Sequence, residues 1–313
     1  MINNYSTVSP NQQKLTATTA RAPFGYFGAK LRIVSKLVEL LPPHNAWVEA
    51  FCGSAALTLA KRAAPIEIIN DLDNQVVNLF KQLRENHDEL CRSIALTPYS
   101  RAEFYKSREF DESLDSLEKA RRFLICTMMT VNATYGKNNG GFSFSHSYSR
   151  NGKEARVSRW YNLPDRISKV VERLRNIRIE NRDARELVDM FSKRPATLIY
   201  LDPPYFTKRQ HKYVIDANDE NFHRELLSIC CKSKSMIIIS GYNNDLYNSI
   251  LLDKGWVSDS VQTSTRDTNG IDYNRTEMLW MNHQFKKAAK TGRVPIRLSK
   301  KEKISKKINP LRK

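Results

Sequence analysis

The stretch Thr197-Leu-Ile-Tyr-Leu-Asp-Pro-Pro-Tyr205 indicates the fold class of this chain and the place where its chemistry lies. A short apolar run such as residues 197–201 is typical of a strand buried on both faces of a parallel sheet. Asp202 follows this run, and Pro203 and Pro204 then fix the backbone and donate no hydrogen bonds. The sequence therefore predicts a rigid turn, rich in hydrogen-bond acceptors, at the carboxyl end of a buried strand.

This turn suits a planar ring that carries an amino group. Asp202 and the carbonyl of Pro203 can accept two hydrogen bonds from an exocyclic amino group. Tyr205 can stack on the ring that bears it, and an aromatic–base stack contributes ~1–3 kcal/mol. We therefore interpret residues 202–205 as a binding site for an amino-bearing heterocycle rather than as a merely structural turn.

Strand and helix signals alternate along the rest of the chain. Apolar residues at helical spacing occur over 72–83, 114–131, 164–174 and 219–232. Short apolar runs lie at residues 46–51, 66–69, 177–179 and 236–239. Residues 256–262 and 276–282 show an alternating pattern that is typical of a terminal hairpin. Buried strands separated by helices predict an α/β fold with a mainly parallel sheet.

Two other predicted strands also end in residues suited to a ligand, as expected for open α/β sheets. Gly53, after the first strand, lets a cofactor approach the backbone, although tight packing of the turn explains a single glycine equally well. Asp71, after the second strand, is placed to accept both hydroxyls of a ribose. Its alternative role is that of a helix N-cap.

Residues 92–165 interrupt the alternation and are too long for an ordinary loop, so they predict an inserted lobe. The lobe is rich in basic and amide side chains, which suit phosphate and base-edge contacts. Any one of them, taken singly, is better explained as an ordinary surface residue, whereas the set as a whole, with its Gly-rich turns, favours a DNA-contacting hairpin. The candidates for contact with nucleic acid are Lys137, Asn138, Asn139, Arg150 and Arg156.

The net charge of +18 makes a polyanion the first partner to test, with nucleic acid ahead of a membrane surface. Twelve Lys and Arg and one acid lie between Lys286 and Lys313, so +11 of this charge belongs to that segment. We predict a basic, disordered tail over residues 284–313 and a flexible leader over residues 1–21. The tail is either a solvated appendage or a nonspecific phosphate-binding arm.

Composition also limits location and cofactors. No run reaches the ~18–20 apolar residues of a membrane span, which excludes an integral membrane protein. The N-terminus lacks an apolar signal core, and five sparse cysteines favour reduced thiols, so we expect a cytoplasmic protein. The histidines and cysteines show no paired ligand spacing, and we expect no metal.

Read in order, the motifs of this chain resemble those of the Dam-like (D12, α-group) adenine-specific DNA N6-methyltransferases. The resemblance spans about residues 22–283. Tyr26 and Ala29 stand at positions where members of that family frequently have Trp and Gly, respectively. The lobe also departs from the usual pattern of the family at residues 142–144. The matching segments are 23–30, 49–54, 70–71, 132–144, 202–205, 240–242 and 275–280.

This resemblance implies a Rossmann-like S-adenosylmethionine-dependent methyltransferase sheet with an inserted, mainly helical target-recognition lobe. The catalytic domain would comprise residues 22–91 and 166–283, and the lobe residues 92–165. Asp202, Pro203, Pro204 and Tyr205 match the positions that hold a flipped-out target adenine. The positions matching cofactor-binding residues of the family are Tyr26, Lys30, Phe51, Gly53, Asp71, Asp183 and Asp202.

The implied partner is double-stranded DNA, with a cognate restriction endonuclease as a further possible partner, for a monomeric bacterial or phage protein. Two alternatives remain open at this point. One is an enzyme that methylates an amino group of RNA adenine or a protein amide. The other is a non-catalytic DNA-binding relative, which is disfavoured because Asp202 and Tyr205 are both present.

Overall fold

The computed structural model describes residues 22–26, 30–109, 111–131, 140–144, 152–205, 219–266 and 272–295. The described strands are β1 (Ala46–Glu49), β2 (Ile66–Asn70), β3 (Ile177–Glu180), β4 (Thr197–Leu201), β5 (Met236–Gly241), β6 (Val257–Arg266) and β7 (Asp272–Met281). The described helices are α1 (Val34–Leu40), α2 (Ala56–Ala60), α3 (Asn74–Glu85), α4 (His87–Leu96), α5 (Arg101–Ser107), α6 (Ser116–Met128), α7 (Ala155–Tyr161), α8 (Leu163–Leu174), α9 (Ala184–Phe191), α10 (Glu220–Lys232), α11 (Asp245–Asp253) and α12 (His283–Thr291).

The strands form a mixed seven-stranded sheet in the order β3-β2-β1-β4-β5-β7-β6. β1 and β4, β4 and β5, and β2 and β3 pair in parallel, whereas β7 runs antiparallel to β5 and β6. Every residue of β4 and β5 is buried. The predicted α/β class, with a mainly parallel sheet and a terminal hairpin, is confirmed.

Individual elements agree with the sequence to different degrees. β4 covers residues 197–201 as predicted, and α8 begins with Pro164 in its first turn. The prediction of a disordered tail from residue 284 was wrong over α12, in which Phe285 and Ala288 are buried. The high density of lysine obscured this short apolar stripe. Residues 1–21 and 296–313 lie outside the described residues.

The chain divides into two compact units. The first contains the described residues within 1–41 and 51–182, and the second those within 42–50, 183–206 and 218–313. The described part of the predicted lobe, residues 92–165, belongs to the first unit and is not a unit of its own. Its helices share a core with the helices around β2 and β3, in which α6 packs on α3 and α8 on α4.

A buried charge cluster anchors the start of β2 in the first unit. The side chain of Glu67 is 1% exposed; it accepts a hydrogen bond from Lys61 Nζ at 2.5 Å and pairs with Arg173 of α8. Burial raises the pKa of this carboxyl, but hydrogen bonds and charge from Arg173 and Lys61 outweigh it and leave the pKa below its ordinary value.

Among the described helices, none combines the length and apolar character needed to cross a bilayer.

Candidate active site

In the first unit, the turn that follows Cys52 is built around a glycine. Gly53 has a φ of +46°, in the left-handed region that favours glycine. A Cβ added there would lie 2.7 Å from Cδ1 of Tyr26. The Tyr26 ring is itself packed edge-on against Phe24, with ring centroids 6.2 Å apart. The residue at position 53 is therefore restricted both by its backbone and by an aromatic ring.

Asp71 holds this turn from the end of β2. Its Oδ2 accepts the backbone N–H of Gly53 at 2.8 Å, and its Oδ1 accepts that of Asp73 at 3.0 Å. The N-cap of α3 is Asp73, which accepts the N–H of Gln75 at 2.9 Å, so the N-cap role considered for Asp71 was wrong. A carboxylate has roughly four acceptor positions. Asp71 therefore keeps acceptor capacity beyond these two bonds.

The electrostatics of this cluster are dominated by two neighbouring acids. Burial raises the pKa of Asp71 to about 6, against the hydrogen bonds from Asp73 and Gly53, and the negative charge of Asp73 adds to the rise. Burial also raises the pKa of Asp73, toward which the Tyr26 hydroxyl points at 3.5 Å. A hydroxyl or a cation would therefore be a favourable ligand here.

Two other predicted cofactor residues lie in the same unit. Lys30 is buried, and its carbonyl accepts the N–H of Ile33 at 2.9 Å. Phe51 is half-buried and directly precedes the turn at Cys52. Ser54, on the other side of Gly53, is buried, and its hydroxyl has no hydrogen-bond partner among the described residues. What these side chains bind remains a prediction.

In the second unit, Asp202 directly follows the last residue of β4, and Ser240 Oγ donates to its Oδ1 at 3.2 Å. Ser240 Oγ also lies 2.8 Å from the hydroxyl of Tyr200. Because Ser240 gives its only proton to Asp202, Tyr200 must be the donor to Ser240. This chain of two hydroxyls helps to hold the carboxylate in one orientation.

Tyr205 is held by residues of β5 and β7. A Cβ at Gly241 would lie 3.7 Å from Tyr205 Cδ1, and the Tyr242 ring lies against that of Tyr205 with centroids 4.5 Å apart. The Tyr205 hydroxyl donates to Oε1 of Glu277 at 3.0 Å. The sequence predicts no role for Glu277, although residues 275–280 resemble a segment of the Dam-like family. Its partner is distant in sequence, so no local pattern identifies the contact.

Asp183 belongs to the second unit and has a local structural role. It caps α9 by accepting the N–H of Arg185 at 2.8 Å. Its carboxylate also accepts from the Arg185 side chain, and these bonds, opposed by burial, hold its pKa below the ordinary value. The prediction that Asp183 binds a cofactor is not tested by these contacts.

The predicted nucleic-acid residues Lys137, Asn138, Asn139 and Arg150 lie outside the described residues. Arg156 lies on α7, one turn before Arg159. Burial and the positive charge of Arg156 lower the pKa of Arg159. Within the described ranges, no group of three His, Cys, Asp or Glu residues is arranged to hold a metal ion.

Comparison with known proteins gives the following similarities. Type II methyltransferase M1.LlaDCHI from Lactococcus lactis subsp. cremoris is 26% identical over 212 residues, which are 63% of this chain and 70% of that protein. PH1948 from Pyrococcus horikoshii, assigned as an RNA methyltransferase, has a TM-score of 0.37 and 9% identity, covering 86% of this chain and 90% of its own. A precorrin-6y C5,15-methyltransferase from Geobacter metallireducens GS-15 has a TM-score of 0.36 and 9% identity, covering 83% and 98%.

A family model gives the decisive match. The model described as D12 class N6 adenine-specific DNA methyltransferase matches residues 26–265, a range that includes Gly53, Asp71, Asp202 and Tyr205. The match covers the greater part of the chain and begins at Tyr26. The chain therefore belongs to the D12 class of N6 adenine-specific DNA methyltransferases.

Proposed function

We propose that this protein transfers a methyl group from S-adenosylmethionine to N6 of a flipped-out adenine at specific sites in duplex DNA. The observation that carries the proposal is the arrangement of Asp202 and Tyr205. Asp202 accepts a hydrogen bond from Ser240, and the Tyr205 hydroxyl donates one to Glu277; both partners are buried residues of the sheet. Family membership supports DNA adenine as the substrate, and it also supports S-adenosylmethionine as the donor.

Asp202 and the Pro203 carbonyl would act on the amino group of the adenine. The N6 lone pair is delocalised into the ring, which makes this nitrogen a poor nucleophile. Two acceptors on the N6–H bonds favour a pyramidal nitrogen and localise its lone pair. The Ser240 hydroxyl, donating to Oδ1, holds the carboxylate in one orientation. The residues thus contribute mainly by positioning, which can supply ~7–11 kcal/mol.

Tyr205 would compensate for removing the adenine from the duplex. Base flipping costs roughly a few kcal/mol, and stacking on an aromatic side chain returns ~1–3 kcal/mol. The ring of Tyr205 already rests against Tyr242 and Gly241. It therefore offers a fixed surface to the incoming base and needs little further ordering.

The first-unit cluster fits the proposed donor. When bound, S-adenosylmethionine supplies a methyl group on a positively charged sulfur. Asp71 retains acceptor capacity for a ribose hydroxyl, and the buried hydroxyl of Ser54 lacks a partner among the described residues. We propose that the donor is held by the residues predicted from the sequence, namely Tyr26, Lys30, Phe51, Gly53, Asp71, Asp183 and Asp202.

Residues 92–165 would read the DNA sequence. Burial and the positive charge of Arg156 both lower the pKa of Arg159, and a backbone phosphate would be a favourable partner for this pair of cations. Lys137, Asn138, Asn139 and Arg150 would contribute further contacts. We also propose a cytoplasmic monomer of bacterial or phage origin, with a cognate restriction endonuclease as partner.

The test is methyl transfer from labelled S-adenosylmethionine to unmethylated duplex DNA, to RNA and to protein, followed by sequencing that detects N6-methyladenine. Asp202→Ala should abolish incorporation into DNA while the protein remains folded. Asp253→Ala, which removes an exposed carboxylate from the same unit, should leave turnover unchanged. Incorporation into RNA or protein but not duplex DNA, or normal turnover by Asp202→Ala, would refute the proposal.

A further inference from the structure

Glu277 is a buried acid in direct contact with the proposed catalytic turn. It lies on β7, one residue before Met278, which pairs with Gly241 of β5. The residue is 4% exposed, and its Oε1 accepts the hydroxyl of Tyr205 at 3.0 Å. Both residues belong to the second unit. Glu277 is thus placed to control the hydroxyl end of the Tyr205 side chain.

A carboxylate in this position has a cost that a purely structural strand residue avoids. Burying a carboxylate is strongly unfavourable unless hydrogen bonds compensate it. An apolar side chain at a buried position of β7 would pack without that penalty. A hydrogen bond to a charged acceptor is stronger than one between neutral groups, so Glu277 can hold the Tyr205 hydroxyl firmly.

β7 also forms a hydrogen bond with Tyr242, whose ring lies next to that of Tyr205. Arg275, two residues before Glu277 and therefore on the same face of the strand, donates to the hydroxyl of Tyr242 at 2.8 Å. Tyr242 in turn lies against the Tyr205 ring. Together with Gly241, these contacts restrain Tyr205 at its hydroxyl end and along its ring. The ring is thereby held in one orientation.

We propose that Glu277 is a positioning residue for methyl transfer, which acts by fixing the ring of Tyr205 so that the flipped base stacks in one orientation. Glu277 itself touches no reacting atom. The inference rests on the proposed function. It predicts that the effects of losing Glu277 and of losing the Tyr205 hydroxyl on kcat are not additive, because both changes remove the hydrogen bond that joins the two side chains.

The experiment compares Glu277→Leu, Glu277→Gln, Tyr205→Phe and the double variant with Leu and Phe. Initial rates of methyl incorporation into unmethylated genomic duplex DNA give kcat and KM for DNA. Melting temperature and the Kd for S-adenosylmethionine serve as measures of folding. Thr276→Val is the matched control, since this exposed neighbour on β7 bonds Gln262 and not Tyr205.

Glu277→Leu and Tyr205→Phe should each lower kcat by about 10- to 100-fold, the factor expected for one hydrogen bond to a charged group. The double variant should be no slower than the slower single variant. Glu277→Gln, whose amide oxygen still accepts a hydrogen bond, should stay within about fivefold of the parent. The KM for DNA, the Kd for S-adenosylmethionine and the Thr276→Val variant should be nearly unchanged.

Multiplying losses in the double variant would overturn the proposal, because Glu277 would then act independently of the Tyr205 hydroxyl. Normal kcat in Tyr205→Phe would overturn it as well, even if Glu277→Leu fails to fold. Failure of the proposed function is distinguishable, since the unmodified protein would then transfer no methyl groups to duplex DNA.

Discussion

Replacing Gly53 with alanine changes the turn of the first unit in two measurable ways. The φ of +46° places an alanine in the left-handed region, which costs an L-residue ~1–2 kcal/mol. The new Cβ would also lie 2.7 Å from Cδ1 and 3.2 Å from Cε1 of Tyr26, so the ring must move. Forcing a methyl group into a packed site typically costs ~1–3 kcal/mol. Together these effects lower the free energy of unfolding by about 2–5 kcal/mol.

A second glycine separates the two contributions. Gly255 has a φ of +75°, but an added Cβ there would have no heavy atom within 4 Å. Gly255→Ala should therefore lose only the backbone contribution, ~1–2 kcal/mol. Adding Tyr26→Ala to Gly53→Ala removes the ring that the new Cβ would contact. The double variant should therefore recover the stability lost to that steric contact, but it also bears the cost of deleting the ring itself.

The assay combines urea denaturation followed by circular dichroism with calorimetric titration of S-adenosylmethionine. Because the Tyr26 ring must shift, Gly53→Ala should weaken the donor affinity by at least about tenfold, a change of ~1.4 kcal/mol. Gly255→Ala should bind the donor normally. Equal stability losses in the two variants, together with unchanged donor affinity, would refute the idea that the turn is shaped around Tyr26.

Two further predictions concern acids whose pKa is shifted in the folded protein. Because the pKa of Asp71 is raised to about 6, its carboxylate forms as the pH rises through that value. The affinity for S-adenosylmethionine, measured by calorimetric titration, should therefore increase from pH 5 to pH 7.5. An equally steep pH profile in Asp71→Asn would contradict this prediction. The raised pKa also means that Asp71 favours the fold at low pH, a contribution lost as the pH rises from its ordinary value of 3.8 to about 6. Glu67 has the opposite sign, since its lowered pKa gives stability above its ordinary value of 4.5 that is lost as the pH falls. Glu67→Gln should cost ~3–5 kcal/mol at neutral pH, because it leaves two buried cations uncompensated. The exposed Glu85→Gln should cost less than ~1 kcal/mol in the same urea denaturation, and similar losses for both would refute this account.

The sequence predicted the sheet better than it predicted the contacts of the site. β4 was assigned residue by residue, because a strand buried on both faces leaves a continuous apolar run. The sequence indicates Asp71 as a possible N-cap, whereas Asp73, two residues later, takes that role, because either acid can cap the helix that follows. Glu277 was missed because its partner, Tyr205, lies 72 residues away, and no local periodicity encodes such a contact.

The sequence does not predict helix α12, for a different reason. Its lysines raise the local polarity, and the two buried positions, Phe285 and Ala288, are too few to give a strong apolar period. Tertiary packing therefore decided the structure of this segment against its composition. The same holds for Asn282, whose role depends on backbone groups of β5 that the sequence does not place beside it.

Asn282 also determines where this chain can be shortened. Its side chain accepts the N–H groups of Ile237 and Phe285 and donates to the carbonyl of Ser235, so it joins the beginning of α12 to the start of β5. Gly292, with a φ of +61°, ends that helix. A truncation at residue 284 would remove the helix together with the basic segment and confound any measurement of DNA affinity. The useful boundary lies after Gly292, where the remaining positive charge can be deleted without removing the packed residues of α12.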